Sequence, residues 1–403
     1  MNILVVNGDC ITRNSSANLC HLAYIKGLLD MGHSVSLLSA SPKGYNTDSY
    51  MSVPKEIKHF VYPGMSFYEK LSLKKNKSVM SPTVSAQSEG GNNGSKPSIL
   101  GRAKQFALRL YGVHGIYSTF IRKASKFRSS ENYDCVISVS TPPSGHLLTY
   151  KLLKKRHIKA THWIQIWEDP WYTDAYGFND REKIRKEEAR LLSFAERVCY
   201  VSPLTLKNQQ QLYPESAHKM YWQPLPSYYS GDANSSANDC EVNFGYFGDY
   251  APASRDLKPF YQAAVETDIN VNICGNPSNL FPSAGNVKIH PRLTLDKLKP
   301  IEDETNVLVF LCNRKGGQIP GKIYQYSATA KTILFILDGT EEEKTVLREY
   351  FEKYNRYVFC ENTVESIKNA IEKIKNKTFD GIVNTPINTF SPEIIVEKIL
   401  KME

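Results

Sequence analysis

The chain has 403 residues, 41% of them apolar and 23% charged, with a formal net charge of +9. That make-up suits a globular protein of two or more domains with a sizeable core, and excludes collagen-like, mucin-like and wholly disordered chains. The excess charge is local: residues 1–230 hold 30 Lys and Arg against 17 Asp and Glu, residues 231–403 hold 20 against 24, and residues 70–128 hold 12 against one. Its candidate partners are an anionic membrane surface, a phosphate-bearing ligand or nucleic acid. Nucleic acid is set aside, because no recognised binding motif accompanies the charge.

The first residues lack the basic start and small-residue cleavage site of a signal peptide and read at once as a strand, Ile3–Val6. No apolar run approaches the roughly 18–20 residues that span a bilayer, so a cytoplasmic location is expected. A small polar loop, Asn7–Ser16, follows. It lacks GxGxxG, which argues against a dinucleotide site. Its Gly8, Ser15 and Ser16 are candidates either for capping the next helix or for leaving N–H groups to an anion. Ala17–Met31 has apolar residues at helical spacing, Gly32 stops it, and Ser34–Leu38 is the next strand. This is a βαβ unit opening a parallel sheet. Lys74–Ser98 is a polar insert read as a disordered surface loop. Ala103–Phe127 is a basic, aromatic, helical stretch. Strand–helix alternation then resumes through Cys135–Val139, His146–Lys155, His162–Ile166, Asp180–Phe194 and Val198–Val201.

The end of the His162–Ile166 strand is unusual. Glu168 and Asp169 stand between Trp167 and Trp171, with Pro170 between the acid pair and the second ring. Carboxylates there can accept from sugar hydroxyls, and indole faces can stack on a sugar's C–H face. The plain alternative is that Asp169-Pro170 caps a turn.

Tyr229–Asp239 reads as a linker. Beyond it come strands Phe244–Phe247, Val271–Cys274, Val307–Leu311 and Ile333–Leu337, with helices Leu257–Thr267, Lys322–Thr329, Val364–Lys375 and Pro392–Leu400. The expected layout is two parallel-sheet α/β domains, residues 1–228 and 240–385, with a terminal helix over 390–403 placed to pack back on the first. Ligands of such sheets bind beyond the strands' carboxyl ends. In the second domain Gly248, Gly275 and Asn313 follow strand ends. The basic, Gly-rich loop from Asn313 to Gly321 carries Arg314 and leads to Lys322. These residues, with Arg255 and a helix start, suit a diphosphate, and Gln325 lies one turn in to reach ribose hydroxyls. Eight scattered cysteines have no zinc spacing and read as buried thiols, so no metal is expected.

The block Ile319–Leu334 (IPGKIYQYSATAKTIL), with Ser140-Thr141-Pro142-Pro143 and Trp167-Glu168-Asp169-Pro170-Trp171, resembles glycosyltransferase family four. The resemblance implies the GT-B fold, two Rossmann-like parallel-sheet domains facing a central cleft. It implies retaining transfer of a sugar from a nucleotide-sugar donor to a hydroxyl of a glycan or lipid-linked acceptor, with no cofactor and no obligatory metal. The donor would be held by Arg255, Gly275, Asn313, Arg314, Lys322 and Gln325. The acceptor would meet Glu168 and Asp169 as the catalytic acids. This sequence departs from the family pattern in that Gly317 and Gln325 replace its spaced glutamates, Asp249 replaces an Arg after the strand glycine, and Glu168 replaces a His. Two rivals share the fold: a nucleotide-sugar epimerase, and a catalytically silent scaffold. An anionic membrane surface met through residues 70–128 would make the protein peripheral at the inner face of the cell membrane.

Overall fold

A computed structural model of the chain describes residues 1–70, 112–173, 181–228, 242–315, 317–378 and 381–401. The chain divides into two units, Met1–Gln223 with Ile399–Glu403, and Pro224–Lys398. The insert 74–98, the linker 229–239 and the first part of the basic 70–128 stretch lie outside the described residues.

The first unit is a seven-stranded parallel sheet in the order β3-β2-β1-β4-β5-β6-β7. Its strands are β1 (Asn2–Asn7), β2 (Ser34–Ala40), β3 (Lys58–Tyr62), β4 (Asn132–Ser140), β5 (Lys159–Trp167), β6 (Arg197–Tyr200) and β7 (Met220–Trp222). The central strands carry near-continuous apolar runs because helices cover both faces; Ile3, Leu4, Val6, Val136 and Val139 are fully buried. The Ser16–Asp30 helix starts where the Ser15 side chain accepts from Asn18 N, and Gly32, at φ +78°, ends it.

The second unit is a six-stranded parallel sheet in the order β10-β9-β8-β11-β12-β13. Here β8 is Asn243–Phe247, β9 Asn270–Cys274, β10 Val287–His290, β11 Val307–Leu311, β12 Thr332–Leu337 and β13 Tyr357–Glu361. In each sheet the strand order reverses once, between β1 and β4 and between β8 and β11. Loops leave those neighbours in opposite directions, which opens a crevice at their carboxyl ends.

Several details differ from the sequence expectations. Residues 224–228 go with the second unit, not the first. The terminal helix is Pro392–Lys401, and its last carbonyls accept from Arg197 Nη1 at Leu400 (2.6 Å) and from Tyr221 Oη at Ile399 (2.9 Å). Those bonds place its last residues with the first unit. The helix expected over 322–329 is shorter, Lys322–Ser327. Of the basic aromatic stretch, Ser118–Ala124 is helical. Phe120 and Phe127 face the core while Arg122, Lys123 and Lys126 are exposed. The seven described cysteines are buried and free.

Candidate functional site

At the first reversal the loops after β1 and β4 pack backbone against backbone. Ser144 Oγ donates to Gly8 O at 2.9 Å. A Cβ on Gly8 would stand 2.7 Å from Gly145 N and 2.8 Å from Pro142 O, so only glycine allows this approach. Gly8 therefore closes the crevice, Ser15 caps the helix, and Ser16 is that helix's first residue.

His21 comes from the same helix and is fully buried. Its Nε2 lies 3.1 Å from Ser140 O and 3.2 Å from Glu168 Oε1. Burial pushes the Glu168 carboxyl up, and His21 opposes that shift. Asp169 is more open and accepts from Thr141 Oγ1 at 2.8 Å. Beside them Arg13 Nη1 donates to Asp9 Oδ2 at 2.7 Å and its guanidinium lies over the Tyr45 ring. Burial also raises the Asp9 carboxyl, against Arg13. Asp9 Oδ1 and His21 Nδ1 are buried without a hydrogen-bond partner among the described residues. Two polar atoms left unpaired inside a fold mark a place where a ligand's own groups can complete the bonding.

The tryptophans do not serve as an open sugar platform. Trp167 is fully buried with its Nε1 donating to Gln165 Oε1 (2.9 Å), and Trp171 packs on the His114 ring. The strand that delivers Glu168 ends inside the core, so its neighbouring indoles are core residues. Sequence reading also passed over Glu188. Its buried carboxylate accepts from Trp171 N (3.2 Å), Tyr172 N (2.7 Å) and Tyr213 Oη (3.0 Å). It thus anchors the loop carrying Glu168 and Asp169. Burial pushes it up to about 7.

At the second reversal the bridging group is a guanidinium. Arg255 Nε donates to Asn313 Oδ1 at 2.7 Å and Nη1 to Asp249 O at 3.1 Å, which joins the end of β8 to the end of β11. Asn313 Nδ2 donates to Gln318 O at 3.2 Å and so shapes the glycine-rich loop. Asp249, which stands where the resemblance has an Arg, accepts from Arg292 Nη1 at 3.1 Å and from Asn276 N at 3.0 Å. Arg292 was not picked out from sequence. At Gly275 a Cβ would meet Gly248 O at 1.9 Å, so this glycine serves close packing of β8 on β9.

Lys322 pairs with Glu302 at 3.4 Å. Both charges act on the Cys274 thiol at the end of β9, which burial pushes up to about 12. Arg314 is exposed and donates to Pro252 O. Gln325 lies one turn into the Lys322–Ser327 helix, as read from the sequence. It is buried, its Oε1 accepts from Tyr228 N (2.7 Å), and its Nε2 donates to Pro226 O (3.3 Å). Its amide therefore holds residues 226–228 to the second unit. Among the described residues no three His, Cys, Asp or Glu side chains group as a metal site, and no helix is long and apolar enough to cross a membrane.

No protein-family model matches the sequence, and no curated protein matches it. Solved structures do match in shape. Sucrose-phosphate synthase from Thermosynechococcus elongatus gives a TM-score of 0.60 at 11% identity, covering 100% of this chain and 97% of that one. A glycosyltransferase from Rickettsia africae ESF-5 gives 0.57 at 12%, covering 100% and 97%. The chain has the GT-B fold. GT-B is also the frame shared with a UDP-N-acetylglucosamine 2-epimerase, at TM-score 0.53 and 10% identity, covering 100% and 95%. The GT-B frame is thus common to a glycosyltransferase and an epimerase.

Proposed function

We propose that this protein is a glycosyltransferase. It moves a sugar from a nucleotide-sugar donor to a hydroxyl of a glycan or lipid-linked acceptor, retaining the anomeric configuration and using no metal. The observation that carries the reading is Arg255 lying across the β8–β11 crevice on Asn313, with Arg292 and Lys322 at neighbouring strand ends. Negative charge develops on the departing diphosphate, and fixed cations there stabilise it in the role a metal fills elsewhere. We assign the acceptor hydroxyl to the first unit, where Asp169 is half-buried and Glu168 is buried beside His21. The Asp169 carboxylate can accept a hydroxyl proton, while burial holds the Glu168 carboxyl toward its neutral form. The His21–Glu168 pair sits on a unit separate from the cationic crevice. That separation supports two substrates, donor and acceptor, over epimerisation of one.

The test is a thermal-shift screen of nucleoside diphosphates and their sugars, since a ligand that binds the folded state raises its melting temperature by mass action. Hits are then incubated with and without glycan acceptors, and products are read by NMR. Stabilisation by one diphosphate and acceptor-dependent release of it are expected, with the donor's anomeric configuration kept in the product. Conversion of the donor sugar without acceptor would make the protein an epimerase. Binding with no turnover would leave a scaffold.

A further inference from the structure

The first unit carries a second charged feature, at the opposite end of its strands from Glu168 and Asp169. Residues 122–128 lead into β4 and residues 154–159 lead into β5. Together they hold eight Lys and Arg, all exposed, and no Asp or Glu. The two segments are knit into one surface. Ser129 N donates to His157 O at 3.1 Å, and the His157 ring lies 3.0 Å from Ser125 O and 2.8 Å from Arg128 Nη1. Asn132 and Lys159 are paired in register at the strand starts.

Among the described residues none of these eight cations is in an ion pair. The carboxylates nearby are already engaged: Glu131 by Lys58 at 2.6 Å, Asp134 by Asn2 N at 2.7 Å, and Glu196 by His162 at 2.8 Å. Clustering eight like charges with no counter-charge is unfavourable for the isolated protein, and a polyanion relieves it. Beside the patch Phe194 is 52% exposed. It stacks on Tyr150 at 4.5 Å, and Tyr150 Oη takes Lys154 Nζ at 2.8 Å.

We propose that this end of the first unit's sheet docks on an anionic lipid surface. The cations would lie on headgroup phosphates and the Phe194 ring would enter the headgroup layer. A bilayer fits better than nucleic acid here. The basic residues sit on the blunt end of a sheet, and Phe120 and Phe127, the rings within or beside the basic segments, are buried. Single-stranded nucleic acid binding uses a row of exposed rings on which bases stack. The docking does not depend on the proposed transferase activity. β4 and β5 each run nine residues away from the patch, about 30 Å. Docked this way, Asp169 faces away from the lipid, toward the distal end of a glycan.

The experiment is co-sedimentation of the full chain with vesicles containing about 30% phosphatidylglycerol, and with pure phosphatidylcholine, at about 50 mM and about 500 mM salt. Binding is expected only to the anionic vesicles and only at low salt. Two triple variants test the patch. One is Lys155→Gln, Arg156→Asn and Lys159→Gln, with Asn chosen because Arg156 has φ +53°. The other is Arg122→Gln, Lys123→Gln and Lys126→Gln. Each should weaken vesicle binding about a hundredfold without changing the melting temperature. Neutralising Lys373 and Lys375 of the second unit should change nothing. Failure to bind anionic vesicles overturns the proposal, as does binding that survives both triple variants, which would place the contact elsewhere. Tighter binding to a single-stranded oligonucleotide than to vesicles would make the patch a nucleic-acid surface instead.

Discussion

The two sheets share a strand order around their reversals, yet they close those reversals with opposite chemistry. Between β1 and β4 the glycines Gly8 and Gly145 let backbone meet backbone, and the side chains gathered there are acids kept out of water: Asp9, Glu168 and, behind the loop, Glu188. Burial raises all three carboxyls. Between β8 and β11 the closing group is the Arg255 guanidinium, with Arg292 on the next loop. The shifted carboxyls of the second unit, Glu266 and Asp296, lie on its surface and are held low by hydrogen bonds to Lys368 and Thr294. One topology thus presents buried carboxyls suited to hydroxyl and proton chemistry in one unit and fixed cations suited to phosphate in the other. Charge at the strand ends, not the fold, distinguishes the two units.

The largest effect should come from the acid side. Asp169→Asn should cut turnover by about 10²–10⁴-fold while leaving diphosphate affinity unchanged, because it removes a proton acceptor and no cation. Activity assays and calorimetry on the same preparation check this. If affinity falls as far as turnover, the two reversals are not separate sites.

A second prediction uses pH. Glu188 sits at about 7 in the folded chain, above its ordinary value of 4.5. The folded state therefore favours its neutral form. The stability it contributes is complete below about 4.5 and is lost as pH rises through about 7. The loss is at most about 3 kcal/mol. Glu187, held at about 2 by His114 and Arg190 despite its burial, titrates below that window and does not offset it. His59, His114 and His146 of the first unit, lowered by burial, act the other way in this window, so the Glu188 contribution is read as a difference between parent and variant. In denaturant unfolding between pH 5 and 7.5 the first unit of the parent should lose stability relative to that of Glu188→Gln as pH rises. An unchanged difference across that range would show that the Glu188 carboxyl is not raised.

The sequence-based reading succeeded where burial writes itself into residue order. Runs such as Ile3–Val6 and Val307–Leu311 are apolar at every position, which is what a parallel strand covered on both faces requires. The edge strands β3, β7, β10 and β13 escaped it. They are three to five residues long and half-exposed in places, so they lack both a continuous run and clean alternation. The Glu341–Glu352 helix also escaped, although Thr340 and Glu343 form a capping box that was readable. Among the candidate site residues, strand ends pointed to Arg255, Asn313 and Asp169. His21, Arg292 and Glu188 come from elements remote in sequence from their partners. Nothing in local spacing signals a histidine on one helix meeting a glutamate at the end of another strand.

On the cationic side, Arg255→Ala should weaken diphosphate binding by about 10–100-fold, equivalent to about 1.5–3 kcal/mol for a charge-assisted hydrogen bond. Arg255→Lys should fall between, since lysine keeps the charge but not the fork that meets Asn313 and Asp249 together. Titration calorimetry with the diphosphate found in the ligand screen gives the ranking. Equal affinity in all three proteins would move the donor away from the β8–β11 crevice.

The smallest effect tests whether the second unit's wall can be returned to the carboxylate that the resemblance leads one to expect. In Gln325→Glu the retained oxygen would still accept from Tyr228 N and Ser227 Oγ. The atom now facing Pro226 O at 3.3 Å would become an oxygen, setting two acceptors against each other in a buried position. The new carboxyl can keep that contact only by holding a proton, so its folded pKa is raised and the stability tied to the proton is lost as pH rises. The second unit should lose about 1–2 kcal/mol. The loss should be greater at pH 8 than at pH 5, with donor affinity unchanged because the side chain holds residues 226–228 and not the ligand. Denaturation at the two pH values, paired with a diphosphate titration, reads both. A gain in donor affinity at unchanged stability would show Gln325 turned toward the nucleotide, and would make the second crevice acidic as well as cationic.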